Sequence, residues 1–151
     1  MQIQDFSHYL KDLEDSIKRQ LAYDLPRKIG NLAVRMFKEN FQKESFFGKA
    51  WQEVKRRLKP SGKNRAADTR PILTGATGSN LGRSVQFTPR DGSALIHSDL
   101  PYAEAHNEGT NNAGRLRNVR IPQRQFIGED TKLTAAIEKK ITDEINKALN
   151  K

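Results

Sequence analysis

Apolar residues recur three and four positions apart along the first part of the chain, a spacing that predicts amphipathic helices. In the first stretch these positions are Phe6, Leu10, Leu13, Ile17 and Leu21. Asp24 then precedes Leu25 and Pro26 as a candidate N-cap of a second helix. Its apolar positions are Ile29, Leu32, Ala33, Met36, Phe37 and Phe41. Residues 1–45 are therefore predicted to be helical, either as two helices or as one long helix kinked near Pro26.

Large aromatic residues follow directly, with Phe46, Phe47 and Trp51 grouped around Gly48. Aromatic residues this close together usually anchor a core edge or an interface, and core packing is the favoured interpretation. The periodic pattern then disappears over residues 55–70, which hold seven basic residues and one acid. This composition predicts a flexible basic loop.

The strand signals lie within residues 83–128. Apolar and polar positions alternate over residues 84–88 and, less regularly, 94–98, and Asp91-Gly92 between them is a strong hairpin signal. Because two strands alone are marginally stable, at least a third is expected. Residues 121–127 are the candidate, at a sheet edge because Pro122 cannot donate a backbone hydrogen bond.

The remaining segments complete an α+β fold. Tyr102 to Gly109 is typical of a short helical turn ended by glycine, and residues 110–120 are predicted to form a polar loop. Apolar residues every four positions then predict a helix over 130–150, with Glu129 and Asp130 at its N-terminus. The predicted protein is a single domain, 1–151, with N-terminal helices and a C-terminal helix packed on a small, mainly antiparallel sheet and with long basic loops.

Composition narrows the possible functions. The net charge of +9 would attract a polyanion or an acidic protein surface. The chain has no cysteine, which excludes disulfides and cysteine-ligated zinc. No apolar run is long enough for a membrane helix, and the polar N-terminus does not resemble a signal peptide. A protein made and kept in the cytoplasm of its host cell, without membrane contact, is expected.

The sequence offers no clear catalytic centre. His8, His97 and His106 lack metal-binding spacings, and the glycines of residues 73–82 lack the Gly-Lys-Ser/Thr ending of a phosphate-binding loop. A metal-dependent hydrolase around His97 and His106 is a remote alternative. We therefore predict no enzyme activity, no catalytic residue, no cofactor and no metal.

Several motifs occur in an order that resembles the phage virion morphogenesis family. They are Leu73-Thr74-Gly75, then Arg83-Ser84-Val85, then Tyr102-Ala103 with His106 and Gly109, and last Ile121-Pro122-Gln123-Arg124-Gln125-Phe126-Ile127-Gly128. The aromatic cluster and its basic loop precede them, and the resemblance covers roughly residues 30–150.

The resemblance implies a structural protein of a tailed phage or prophage that completes the tail or joins head and tail at the neck. It further implies self-assembly into a ring, often hexameric in similar neck proteins, and contact with connector, neck, tail-tube or terminator proteins. The protein would act in the host bacterial cytoplasm during assembly and then belong to the virion. His106 and Tyr102 would support a turn or interface, and Arg124 with Phe126 would pin the last strand.

Two groups of residues are candidates for function. The interaction candidates, which gather in two basic loops, are Lys55, Arg56, Arg57, Lys59, Lys63, Arg65, Arg70, Arg115, Arg117 and Arg120. The structural motif residues are Trp51, Tyr102, His106, Gly109, Pro122, Arg124 and Phe126. The alternative function is non-specific DNA binding by the loop 55–70, since its basic side chains could contact phosphates although no recognition motif accompanies them.

Overall fold

The computed structural model describes residues 3–58, 69–75, 78 and 80–150. Its helices are α1 (Ile3–Arg19), α2 (Leu25–Lys43), α3 (Lys55–Leu58), α4 (Asn80–Ser84), α5 (Ala103–Glu108) and α6 (Thr131–Leu149). Its strands are β1 (Ser45–Phe46), β2 (Lys49–Ala50), β3 (Gln86–Arg90), β4 (Ser93–His97), β5 (Thr110–Ala113) and β6 (Val119–Ile121). The α+β class is confirmed.

The N-terminal region is one continuous helix that contains an irregular turn but no break. A π-helical turn, Gln20–Asp24, joins α1 to α2, and the backbone of Arg19 and Leu25 on either side is helical. Asp24 has helical backbone angles and makes no side-chain cap, so its prediction as an N-cap is wrong. The irregularity lies immediately before Pro26, whose missing N–H is tolerated where the helical hydrogen-bond ladder is already changed.

The predicted hairpin around Asp91-Gly92 is confirmed. β3 and β4 pair antiparallel from Gln86 opposite His97 to Arg90 opposite Ser93, and Gly92 has a φ of +66°, which glycine adopts at little cost. β3 begins later than predicted because Ser84 is the last residue of α4. Its hydroxyl donates to the carbonyl of Leu81 at 2.7 Å, a bond typical of a helical turn.

The prediction of a third strand over residues 121–127 is wrong. β6 ends at Ile121, since Pro122 cannot continue the ladder, and β6 pairs with β5 instead of with the β3–β4 hairpin. The predicted polar loop, residues 110–120, is therefore also wrong in part, because it contains most of this β5–β6 hairpin. Among the described residues, the sheets are three separate antiparallel pairs rather than one sheet.

The later helices agree with their predictions. α5 ends at Glu108 and is followed by Gly109, whose φ is +75°. α6 begins after Asp130, whose carboxylate accepts a hydrogen bond of 2.8 Å from the backbone N–H of Lys132. The prediction of a helix in the last segment is confirmed. The expected acidic residue at its N-terminus, Asp130, caps the helix.

The core lies where α2 packs against the β3–β4 hairpin and α6. Gly30 of α2 makes this approach possible, since a side chain there would overlap the ring of Phe87. Phe37, Val85 and Phe126 are fully buried at its centre. The predicted core position of the aromatic cluster is confirmed, because Phe46 and Trp51 are buried, and the Trp51 ring lies 5.4 Å from that of Phe41.

None of the helices in the described part of the chain is both long enough and apolar enough to span a membrane.

Candidate functional site

The side chain of Arg124 joins the motif residues of the last third of the chain to the residues that follow the aromatic cluster. Its guanidinium is buried, and its Nε donates to the carbonyl of Gln52 at 2.9 Å. A longer contact of 3.4 Å joins its Nη2 to the carbonyl of Glu53. The backbone N–H of Arg124 donates to the carbonyl of His106 at 2.8 Å. Arg124 therefore links α5, the segment 122–128 and the segment that follows the aromatic cluster.

Two further side chains fix the same segment. Asn107 accepts hydrogen bonds at 2.9 Å from the backbone N–H groups of Phe126 and Ile127. The indole N–H of Trp51 donates to the carbonyl of Gln125 at 2.8 Å. These bonds satisfy backbone groups that lack strand partners, so the segment after β6 is ordered by side chains instead of by a sheet. Asn107 was not selected from the sequence, because asparagine in a short polar helix carries no distinguishing signal.

Gly109 is required where α5 turns toward this segment. Its φ of +75° is unfavourable for other residues, and a Cβ built there would lie 2.8 Å from the backbone nitrogen of Gln123. Pro122, half-buried, stands immediately before that nitrogen. Phe126 is buried against Phe41, with ring centroids 5.2 Å apart. These motif residues hold the fold together at the junction of its helical and extended parts.

A cleft of about 300 Å³ lies beside this junction. Its lining includes Arg56, Leu73, Tyr102, His106 and Arg124. Burial, followed by the charge of Arg124, lowers the pKa of His106 below its ordinary value, so its imidazole is neutral near pH 7. The ring of Tyr102, itself exposed, stands edge-on to that of His106. The cleft thus joins guanidinium groups to a neutral histidine, and its described lining contains no carboxylate that could orient that histidine as a base.

The beginning and end of the predicted basic loop are tied to the body of the protein. Arg56 donates through Nη2 to the carbonyls of Arg70 at 3.0 Å and Pro71 at 2.8 Å. Arg57 donates to the carbonyl of Arg70 at 3.2 Å and forms an ion pair with Glu44. Lys55 is exposed in α3. The prediction of a flexible loop falls mainly on residues 59–68, including Lys59, Lys63 and Arg65, which lie outside the described residues.

Glu44 is the acceptor that holds these ends in place. It follows the last residue of α2 in a left-handed conformation, with φ of 50°. Its carboxylate accepts hydrogen bonds from both terminal nitrogens of Arg57, one of them 2.9 Å long, and from the backbone N–H of Ile72 at 2.8 Å. The bond from Arg57 is the main reason that the pKa of Glu44 is lowered. Two predicted interaction residues, Arg56 and Arg57, therefore have internal partners.

The arginines of the second predicted basic loop are exposed, unlike Arg56 and Arg57. Arg115, Arg117 and Arg120 are exposed in the β5–β6 hairpin. Leu116, between two of them, is also exposed. Arg117 has a φ of +49°, a left-handed conformation without glycine. This hairpin presents basic and apolar side chains to the surroundings at the same place.

The described residues contain no group of three histidine, aspartate or glutamate side chains that could hold a metal ion. His97 contacts Asp99 and Thr88 at 3.0 Å each, on the exposed side of the β3–β4 hairpin. His106 lies in α5 beside Arg124. The structure therefore gives the two histidines different neighbours.

Comparison with known proteins gave one result. The model of the phage virion morphogenesis family matches residues 1–150, which confirms the resemblance predicted from the sequence motifs. Searches of curated proteins and of solved structures gave no match.

Proposed function

The chain belongs to the phage virion morphogenesis family, and from this premise we propose that it completes the tail, or joins head and tail at the neck, of a tailed phage or prophage particle. The family supports the coarser statement directly, a structural role in building the phage particle. The observation that carries the proposal is the extent of the match, which includes residues 1–150 of 151.

The geometry of the motif residues supports a role in binding rather than in catalysis. Trp51, Gly109, Arg124 and Phe126 are used to pack and connect backbone segments. The basic hairpin β5–β6, by contrast, leaves its arginines exposed and available to a partner. A closely bonded junction that presents exposed basic and apolar surfaces is suited to a protein that assembles with others.

The proposed partners are copies of the same chain in a ring, of which a hexamer is one form, together with connector, neck, tail-tube or terminator proteins. Assembly would take place in the bacterial cytoplasm, and the protein would remain in the neck or tail. The exposed apolar residues of α1 and of the β5–β6 hairpin support contacts of this kind, because a protein that works alone has little use for them.

Non-specific DNA binding by the loop 55–70 gains little support from the described residues. Arg56 and Arg57 are engaged by Arg70, Pro71 and Glu44, so phosphate contacts would have to compete with existing bonds. DNA is therefore at most a non-specific neighbour in the proposed assembly.

The test is a nonsense mutation of the gene in its phage, followed by electron microscopy of the lysate. Filled heads and tails that are both present but not joined are expected, with complete particles restored in a suppressor host. Normal numbers of complete particles from the non-suppressing host would contradict the proposal. Loss of heads themselves would contradict it too, since it would indicate a capsid role instead.

A further inference from the structure

The first half of α1 exposes an apolar face that nothing described in the chain covers. Phe6, Tyr9 and Leu10 are 50%, 56% and 47% exposed. Leu13 and Ile17, nearer the π-helical turn, are half-buried, where α1 meets α6. A helix of this length is marginal in water unless its apolar face packs against something. The exposed face therefore calls for a partner.

The β5–β6 hairpin has a comparable exposed surface. Leu116 in its turn is 78% exposed, and Val119 at the start of β6 is 49% exposed. The hairpin is a two-stranded sheet of its own, and an isolated pair of strands is marginally stable. Arg117, in its left-handed conformation, adds backbone strain in the same turn. A covering partner would stabilise this hairpin as well.

The two surfaces are complementary in charge. Residues 3–15, which include the exposed face of α1, hold four carboxylates against one lysine. Residues 109–121, which include the hairpin, hold three exposed arginines and no acid. On α1, Asp12 lies three positions after Tyr9, and Glu14, which forms an exposed ion pair with Lys18, lies four positions after Leu10. Carboxylates therefore flank the apolar face on both sides. On the hairpin, Arg115 and Arg117 flank Leu116.

We propose that the α1 face of one copy of this chain covers the β5–β6 hairpin of a second copy. Leu116 and Val119 would pack on Phe6, Tyr9 and Leu10, and the arginines would approach Asp12 and Glu14. A second copy is the occupant because every chain carries one acidic apolar surface and one basic apolar surface. This interface rests on the proposed self-assembly and names the residues that carry it.

The geometry of such a contact determines the kind of assembly. Since the two surfaces are different patches of one chain, each copy uses its helix toward one neighbour and its hairpin toward the other. Contacts of this head-to-tail type close into a ring if the rotation permits and otherwise continue as a filament. The charge complementarity would favour correct pairing and make assembly weaker at high salt.

Charge reversal with purified protein tests the interface. The first variant carries Asp12→Lys and Glu14→Lys, the second carries Arg115→Glu and Arg120→Glu, and sedimentation measures the assembled mass against the chain mass of 17.2 kDa. Each variant alone is expected to raise the concentration for half-assembly at least about tenfold, because like charges now face one another. An equal mixture of both variants should recover assembly, since each surface again meets an opposite charge.

Asp12→Lys alone has Asp15→Lys as its matched control, because each reverses one charge and Asp15, five positions from Leu10, lies on the far side of the helix. Asp15→Lys should assemble as the wild type does. A monomeric wild type, variants that assemble normally, or a mixture that stays monomeric would each overturn the interface. Circular dichroism of every variant reports whether the fold is retained.

Cysteine cross-linking gives a second readout that does not depend on reversed charges. The natural chain has no cysteine, so a Leu10→Cys chain mixed with a Leu116→Cys chain can join only through the introduced thiols. Mild oxidation should give a mixed covalent dimer in larger yield than a mixture of Asp15→Cys and Leu116→Cys chains. Equal yields would overturn the proposal. If wild-type protein assembles while both tests fail, this interface is wrong and the role in the virion is unaffected.

Discussion

At the scale of single residues, side chains in and beside the sequence motifs bond to backbone groups that have no partner in a strand. Arg124, Asn107 and Trp51 bond to backbone carbonyls and N–H groups of irregular segments. Each of these groups would otherwise be desolvated without a hydrogen bond. These bonds preserve the shape of the segments that carry the residues.

Gly109 provides a test at this scale, with Gly92 as a matched control. Both have positive φ, but a Cβ at Gly92 meets nothing within 4 Å, whereas one at Gly109 meets the backbone of Gln123. Gly92→Ala should lower the free energy of unfolding by about 1–2 kcal/mol through its left-handed conformation. Gly109→Ala should lower it by roughly 1–3 kcal/mol more, because the φ of +75° and ψ of 161° at Gly109 are adopted almost only by glycine and the overlap with Gln123 adds to this strain.

Urea denaturation of the two variants beside the wild type measures this difference. Equal losses of stability in Gly109→Ala and Gly92→Ala would show that the close approach to Gln123 has no energetic consequence.

At the scale of elements, the strength of the sequence signal decided which parts of the fold could be predicted. α6 and the β3–β4 hairpin follow from regular apolar spacing and from Asp91-Gly92, which are local properties of the chain. β5 could not be predicted, because Thr110–Ala113 has no alternating apolar residues. Its pairing with β6 is local, across the five residues that separate the two strands, but these residues contain no strong turn signal such as Asp-Gly.

The residues of the candidate site likewise differ in how far the sequence predicts them. Trp51, Arg124 and Phe126 could be selected from the sequence because bulky or charged residues in an ordered motif stand out. Glu44 and Asn107 could not, since their importance comes from backbone groups of Ile72 and Phe126 that are distant in the chain. The internal use of Arg57 was missed for the same reason, because its partner Glu44 is on another helix end.

The packing of α6 on α2 gives a prediction that depends on pH. Glu144 of α6 is buried and accepts hydrogen bonds from Lys28 of α2 and from Lys140 and Lys147. The bond from Lys28 contributes most to the lowered pKa of Glu144. Together these bonds lower the pKa of Glu144 from 4.5 to about 2. Because the folded state holds this proton less tightly than the unfolded state, the carboxylate stabilises the fold above about pH 4.5 and loses this effect as the pH falls toward 2.

Glu144→Gln should therefore be less stable than the wild type at pH 7, and the difference should shrink as the pH is lowered through this range. Urea denaturation at a series of pH values measures it. Glu138→Gln, on an exposed position of the same helix, is the control and should differ little from the wild type at any pH. A difference for Glu144→Gln that stays constant down to acidic pH would contradict the assignment.

At the scale of the whole molecule, the distribution of charge and apolar surface agrees with a protein made for assembly. The net charge is +9, yet residues 1–24 hold five carboxylates against three basic residues. The acidic α1 and the basic β5–β6 hairpin both leave apolar side chains exposed, while the core is confined to α2, α6 and the segments packed on them. A chain arranged in this way has opposite surfaces for two neighbours.

The most direct test of the proposed role is complementation of a defective lysate with purified protein. A lysate from phage that lack this gene product, but contain heads and tails, would be mixed with the wild-type chain and titred on a sensitive host. We expect the number of infectious particles to rise with added protein, and not with a heat-unfolded sample. A titre that stays at the level of the untreated lysate, although the added protein is folded, would contradict a role in completing the tail or joining it to the head.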